Sequence, residues 1–125
     1  MVVGICRLSL YFPESGSLKT KRQGLRKVID RVRAKFNAAV AEVADQDTWQ
    51  RAVIGISVVG NEGRHVQSMV DTIVGFIDGL YVAEIVDRQV ELVNYGDGEP
   101  MGDEALPMAA FPDRELAKRS RRWRR

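Results

Sequence analysis

The chain has 125 residues, of which 45% are hydrophobic and 29% charged, proportions that are ordinary for one soluble globular domain. A single cysteine, Cys6, excludes a disulfide framework and the common zinc patterns, and no apolar run reaches the roughly 20 residues that cross a bilayer. We therefore expect a cytoplasmic protein without a signal peptide, a membrane partner, a metal or another cofactor.

The net charge of +2 conceals a strong segregation of charge along the chain. Residues 1–36 hold nine Lys and Arg against two acids, residues 37–111 hold three against thirteen, and residues 112–125 hold seven against two. Electrostatic fields arise from such local clusters and not from the total charge. A basic segment and a basic tail therefore flank an acidic middle.

The first strand and the first helix are marked by clear patterns. Residues 2–12 alternate, are rich in β-branched and aromatic side chains, and end at Pro13, which predicts a strand. Between residues 18 and 36 the apolar side chains recur at helical spacing behind Ser17, a residue type suited to an N-cap. Gly24 lies inside this helix and weakens it by up to about 1 kcal/mol relative to Ala.

The middle of the chain predicts a hairpin and a second helix. The segments "NAAVAEVAD" and "RAVIGISVV" indicate two strands joined through "QDTWQ". After "GNEGR" the apolar side chains again recur at helical spacing, with Asn61 as the expected N-cap and Gly79 near the C-terminal end. A last strand covers roughly residues 83–93.

The order β-α-β-β-α-β predicts a ferredoxin-like α/β fold, an antiparallel sheet in the order 4-1-3-2 with two helices on one face. Eight side chains should be buried between the helices and the sheet: Leu25, Val28, Ile29, Val32, Val66, Val70, Ile73 and Phe76. We expect this domain to span residues 1–95. Residues 96–125 are rich in Gly and Pro and predict a flexible acidic linker with a basic C-terminal tail.

Several phrases match one known family: "MVVGICRLSL", "SLKTKR", "AEVADQDTWQRAVIGISVV" and "RHV" at the head of the second helix. Together they resemble the YlxP-like family of small bacterial proteins of unknown function. The resemblance covers residues 1 to about 93. It implies the ferredoxin-like fold and, in many bacteria, a gene near those for translation initiation and ribosome-binding factors. It implies no established activity.

No catalytic constellation is visible, so we expect that the protein is not an enzyme. The only histidine, His65, begins a helix and indicates a structural or partly exposed role, and there is no phosphate-binding loop motif. Asp45 and Asp47 are explained by the chemistry of a polar turn.

Two features of the hairpin have structural explanations. Trp49 could stack on a base, but the interpretation that we favour is a ring folded over the hairpin end to close the core. Glu42 could pair with Arg51 across the hairpin, which would be a modest contact and not a site.

The first helix carries the most distinctive charge pattern. With about 100 degrees per residue and Leu25 at zero, one flank at about 60 to 120 degrees is basic. This cationic flank consists of Lys19, Arg22, Arg26 and Arg33. The opposite flank, at about 200 to 280 degrees, consists of Lys27, Arg31 and Lys35, and only Asp30 softens the field of this helix. A merely solvated helix would mix signs in i, i+4 pairs, although cationic helices that only keep a protein soluble are also common.

The start of this helix and the tail complete the predicted anion-binding residues. Free N–H groups after Ser17 and the helix dipole form a workable anion site, which Lys19, Lys21 and Arg22 would extend. In the tail, "RSRRWRR" offers phosphate contacts and an indole. The predicted tail contacts are Arg121, Arg122 and Trp123.

The expected partner is structured RNA or a ribosomal particle. If Cys6 faces the helices, the open face of the sheet holds no aromatic platform beyond Tyr11, so phosphate-dominated binding is favoured over the reading of single-stranded sequence. Two alternatives remain open. One is a homodimeric interaction module that uses the open sheet face or the edge of the second strand. The other is a small anion-ligand-binding domain or enzyme that uses the Ser-Gly turn.

Overall fold

A computed structural model describes residues 1–96, of which Met1–Tyr95 form one compact unit. Its elements are β1 (Val2–Tyr11), α1 (Leu18–Lys35), β2 (Ala39–Ala44), β3 (Arg51–Gly60), α2 (Gly63–Asp78) and β4 (Glu84–Asn94). The four strands pair antiparallel in the order β2-β3-β1-β4. The predicted ferredoxin-like fold and strand order are therefore confirmed.

The core lies between one face of the sheet and the two helices. In β1 the alternate residues Cys6, Leu8 and Leu10 are fully buried, whereas Ile5 and Arg7 face away from the helices and are exposed. Six of the eight predicted core residues are buried, and Ile29 and Phe76 are partly buried against the core. Apolar side chains recur every two residues in the strand and every 3.6 residues in the helices, and this spacing was sufficient to identify the core between them.

The start of α1 is built as the sequence predicts. Ser17 is the N-cap, and its hydroxyl accepts a hydrogen bond from the Thr20 N–H at 3.2 Å. Gly24 permits a close approach between α1 and the end of β1, because a Cβ there would lie 3.0 Å from a ring carbon of Phe12. Glycine at this position lowers the helix propensity of α1 but allows the helix to pack closely against Phe12.

The ends of α2 differ in part from expectation. Its N-cap is Glu62, without a side-chain cap hydrogen bond, so the expected cap at Asn61 is wrong. Gly79 occupies the C-cap, as predicted. Arg88 on β4 donates to the Asp71 carboxylate on α2, and this hydrogen bond, with a second from Gln67, lowers the pKa of Asp71.

The predicted linker and tail, including Arg121, Arg122 and Trp123, lie outside the described residues. Within residues 1–96, neither helix has the length and apolar character that crossing a membrane requires.

Candidate nucleic-acid interface

Lys21 is a buried structural residue and not part of an exposed anion site. Its side chain is 0% exposed, and its ammonium donates to the carbonyl oxygens of Asp45 at 2.8 Å, Gln46 at 3.1 Å and Arg51 at 3.1 Å. All three N–H donors of the ammonium are thereby used. The expectation that Lys21 extends the cationic surface is therefore wrong.

The Lys21 ammonium connects two of the sequence segments that carry the family resemblance. Lys21 belongs to "SLKTKR", and its three acceptors lie in "AEVADQDTWQRA". A hydrogen bond from the Thr48 N–H to the Asp45 carbonyl closes the turn that presents the Asp45 and Gln46 carbonyls. Asp45 has a left-handed backbone conformation with φ 60°. Asp45 and Asp47 thus lie in a turn, as predicted. The two phrases together form a structural anchor between α1 and the β2–β3 loop.

Glu42 pairs with Lys21 and not with Arg51. A register shift between Glu42 and Ala44 marks a bulge in β2, and Arg51 lies opposite Tyr11 on β1. The Glu42 Oε2 atom is buried without a hydrogen bond and lies 3.6 Å from the Lys21 ammonium. The expected cross-strand pair is therefore wrong, because Glu42 alternates with the buried Val40 and lies on the face of the sheet that packs against α1.

Within residues 1–96, three cations of the cationic flank of α1 have no partner. Lys19, Arg22 and Arg26 are exposed, and within residues 1–96 their side chains make no hydrogen bond or ion pair. Arg33 is also exposed, but its guanidinium donates to the Val40 carbonyl on β2 at 2.6 Å. This bond places the flank along the outer side of β2, which is an edge strand.

The N-terminus of α1 offers fewer free N–H groups than the sequence predicts. The Ser17 hydroxyl occupies the Thr20 N–H, and the Ser17 carbonyl accepts from the Lys21 N–H. Ser17 thus caps the helix and leaves fewer N–H groups that could bind an anion. Among the described residues, only the N–H groups of Leu18 and Lys19 in this turn lack a partner.

A cavity of about 590 Å³ lies beside this helix start, but its charge does not suit an anion. The carboxylates of Glu14, Asp78 and Glu84 line it, and no Lys or Arg does so in the described part of the chain. An anionic ligand would meet like charge there. The alternative of a small anion-ligand domain at the Ser-Gly turn therefore gains no support from this cavity.

Trp49 does not close the core. Its side chain is 58% exposed in the β2–β3 loop, and it is not a member of the core cluster. The favoured interpretation from the sequence is therefore wrong. Nothing in the local composition showed this outward position.

The open face of the sheet carries exposed apolar side chains, and Tyr11 is the only aromatic residue in the four strands of residues 1–96. Ile5, Val43 and Val59 are 45%, 54% and 59% exposed. Tyr11 is half-buried, and Val53 is only 4% exposed although it faces away from the helices. An apolar groove of about 390 Å³ on this face is lined by residues that include Ile5, Val43 and Gly55.

The remaining reactive side chains are not arranged as a site. His65 is exposed on α2, and Cys6 is buried in the core, where desolvation raises the pKa of its thiol. A raised pKa disfavours the reactive thiolate. Within residues 1–96 there is no group of three His, Cys, Asp or Glu side chains that could hold a metal ion.

These features define a ferredoxin-like protein whose first helix presents exposed cations, three of them without a partner within residues 1–96. The chain belongs to the family described as "Protein of unknown function (DUF503)", whose family model matches residues 3–90. It is 34% identical over 79 residues to the uncharacterised protein YlxP of Bacillus subtilis (strain 168), an alignment that covers 63% of this chain and 86% of that protein. The family resemblance is confirmed.

Two solved structures share the ferredoxin-like description. A de novo designed protein with ferredoxin fold is 17% identical, with a TM-score of 0.48 over 78% of this chain and 89% of that chain. A dimeric ferredoxin-like protein of unknown function from Thermobifida fusca YX is 12% identical, with a TM-score of 0.37 over 74% of this chain and 92% of that chain. The fold assignment depends on the strand order of this chain itself.

Proposed function

We propose that this protein is a cytoplasmic, non-enzymatic accessory protein that binds structured RNA or ribosomal particles through the cationic flank of α1. One observation carries the proposal. Lys19, Arg22 and Arg26 are exposed on one side of the helix, and none of them forms an ion pair with a carboxylate of residues 1–96. Phosphate oxygens are suited to such a surface, because arginine binds them in bidentate geometry.

The binding is dominated by phosphates and is independent of sequence. Three contacts give a plot of log affinity against log salt with a slope of about −2 to −3, since each neutralised phosphate contributes about 0.7 to 0.9. The basic tail, with Arg121, Arg122 and Trp123, adds further contacts and steepens this slope.

Charge reversal on the two flanks of α1 tests the proposal. Arg22→Glu with Arg26→Glu changes the cationic flank, and Lys27→Glu with Arg31→Glu is the matched control on the opposite flank. Both pairs have i, i+4 spacing and shift the net charge equally. We expect the first pair to weaken binding to a structured RNA and to flatten the salt slope by about two, while the control pair changes both much less.

The measurements are fluorescence anisotropy at several salt concentrations and co-sedimentation with ribosomal particles. Thermal stability should be nearly unchanged in both pairs, because exposed charges contribute little to folding. Equal weakening by the two pairs would show that only net charge matters. The absence of salt-sensitive binding in the wild-type protein would refute the proposal.

A homo-oligomeric interaction module is the second candidate. The observation that favours it is the apolar open face, where Ile5, Val43 and Val59 are all substantially exposed. A concentration-dependent dimer in analytical ultracentrifugation, together with no salt-sensitive RNA binding, would favour this function over the first.

A further inference from the structure

The loop that carries Trp49 is anchored on both sides of the indole. Before it, the Lys21 ammonium binds the carbonyls of Asp45 and Gln46. After it, the Gln50 carbonyl accepts from the Phe12 N–H at 2.7 Å, and the Gln50 amide donates to the Pro13 carbonyl at 3.3 Å. These hydrogen bonds fix the backbone on both sides of Trp49, which lowers the entropic cost of ordering the loop when a partner binds.

The anchored loop adjoins the cationic flank. Lys21, which binds the loop, directly precedes Arg22 in α1, and Arg33 at the other end of the flank binds Val40 on β2. The flank therefore runs beside β2 from Val40 toward the loop that follows this strand. The loop that carries the exposed indole of Trp49 is thus attached to α1 at Lys21, the residue next to Arg22 in the chain.

We propose that Trp49 is a stacking platform for an unpaired base of the RNA whose phosphates contact the cationic flank. This inference rests on the proposed function and extends it to a class of RNA. An indole stacks on any base, and a base within a duplex is already stacked on its neighbours, so the ring selects bulges, loops and ends. Phosphate contacts position the RNA, and Trp49 distinguishes an interrupted helix from a continuous one.

The probes for the test are two synthetic RNAs, a blunt duplex and the same duplex with one unpaired purine. The full-length protein carries Trp123→Phe, so that Trp49 is its only tryptophan. We expect the Trp49 fluorescence to be quenched by the bulged RNA and to change little with the duplex. Stacking is worth about 1 to 3 kcal/mol per base, so Trp49→Ala should weaken binding to the bulged RNA by about 5- to 150-fold.

Two further variants separate stacking from other effects. Trp49→Phe keeps an aromatic ring and should retain most of the affinity. Tyr81→Ala removes a ring that is 92% exposed in the loop between α2 and β4, and it should change nothing. The salt slope of Trp49→Ala should equal that of the parent, because no charge is removed.

The outcomes distinguish this inference from the proposed function. Salt-sensitive binding of both RNAs, with equal affinity in Trp49→Ala and its parent, would leave the cationic flank intact as the RNA site and overturn the stacking role. An equal loss in Tyr81→Ala would also overturn it. If neither RNA binds in a salt-sensitive way, the proposed function fails and the stacking role fails with it.

Discussion

Replacement of Lys21 by methionine tests the structural anchor between α1 and the β2–β3 loop. Methionine keeps a similar unbranched shape but removes the ammonium from the carbonyls of Asp45, Gln46 and Arg51. It also leaves the buried Oε2 atom of Glu42 without a counter-ion. The variant should therefore be strongly destabilised although it removes a charged side chain.

The size of the effect follows from these contacts. Removal of one partner of a buried ion pair costs about 3 to 5 kcal/mol. The Glu42 side chain is 20% exposed, and Asp45 and Gln46 are exposed residues, so water can replace part of what is lost. We expect a loss of about 2 to 4 kcal/mol in the free energy of unfolding, which lowers the Tm by roughly 10 to 30 °C in a domain of this size.

Urea and thermal unfolding measure this loss, and Lys27→Met is the matched control because Lys27 is exposed on the same helix. The control should change the free energy of unfolding by no more than about 0.5 kcal/mol. Addition of Glu42→Gln to Lys21→Met should recover part of the loss, since it removes the unpaired carboxylate. If Lys21→Met is no less stable than Lys27→Met, the hydrogen bonds around Lys21 do not stabilise the fold.

Two glycines and the single cysteine give further predictions. Gly4→Ala should lower the free energy of unfolding by about 1 to 3 kcal/mol, because the new Cβ would lie 2.7 Å from Cγ1 of the buried Val66. Gly75→Ala in α2 should raise it by up to about 1 kcal/mol, because no atom lies within 4 Å of the new methyl group; equal urea midpoints in the two variants would contradict this reasoning. Burial raises the pKa of the Cys6 thiol, so its contribution to stability is present below the ordinary thiol pKa and is lost as the pH rises through the raised value. Cys6→Ala should lack this alkaline loss, and rapid labelling of the native thiol at neutral pH would argue against its burial.

Local patterns were sufficient for most of the fold. The period of each segment marked all six elements, and Ser17 and Gly79 marked two helix ends. Such signals depend only on residues that are close in sequence, so they can be recognised without knowledge of the tertiary structure. Asn61 failed as a cap because α2 begins two residues later, within the usual uncertainty of helix ends.

The burial of Lys21 had a signal in the sequence that its charge concealed. Lys21, Leu25, Val28 and Val32 follow the i, i+4, i+7, i+11 spacing of one helical stripe, and all four are buried. A lysine at such a position is almost always assigned to solvent, because an unpaired buried charge is too costly. Only the folded chain shows that three carbonyls and a carboxylate compensate it.

The sequence by itself therefore determined the layers, the order of the strands and a surplus of cations on α1, since all of these depend on residue type and period. The tertiary structure decided which of the cations are free. It turned Lys21 inward, attached Arg33 to β2, brought Glu42 close to the Lys21 ammonium, and left Trp49 exposed. Lys21 lies 24 to 30 positions from its three acceptors, and no local pattern records contacts of this kind.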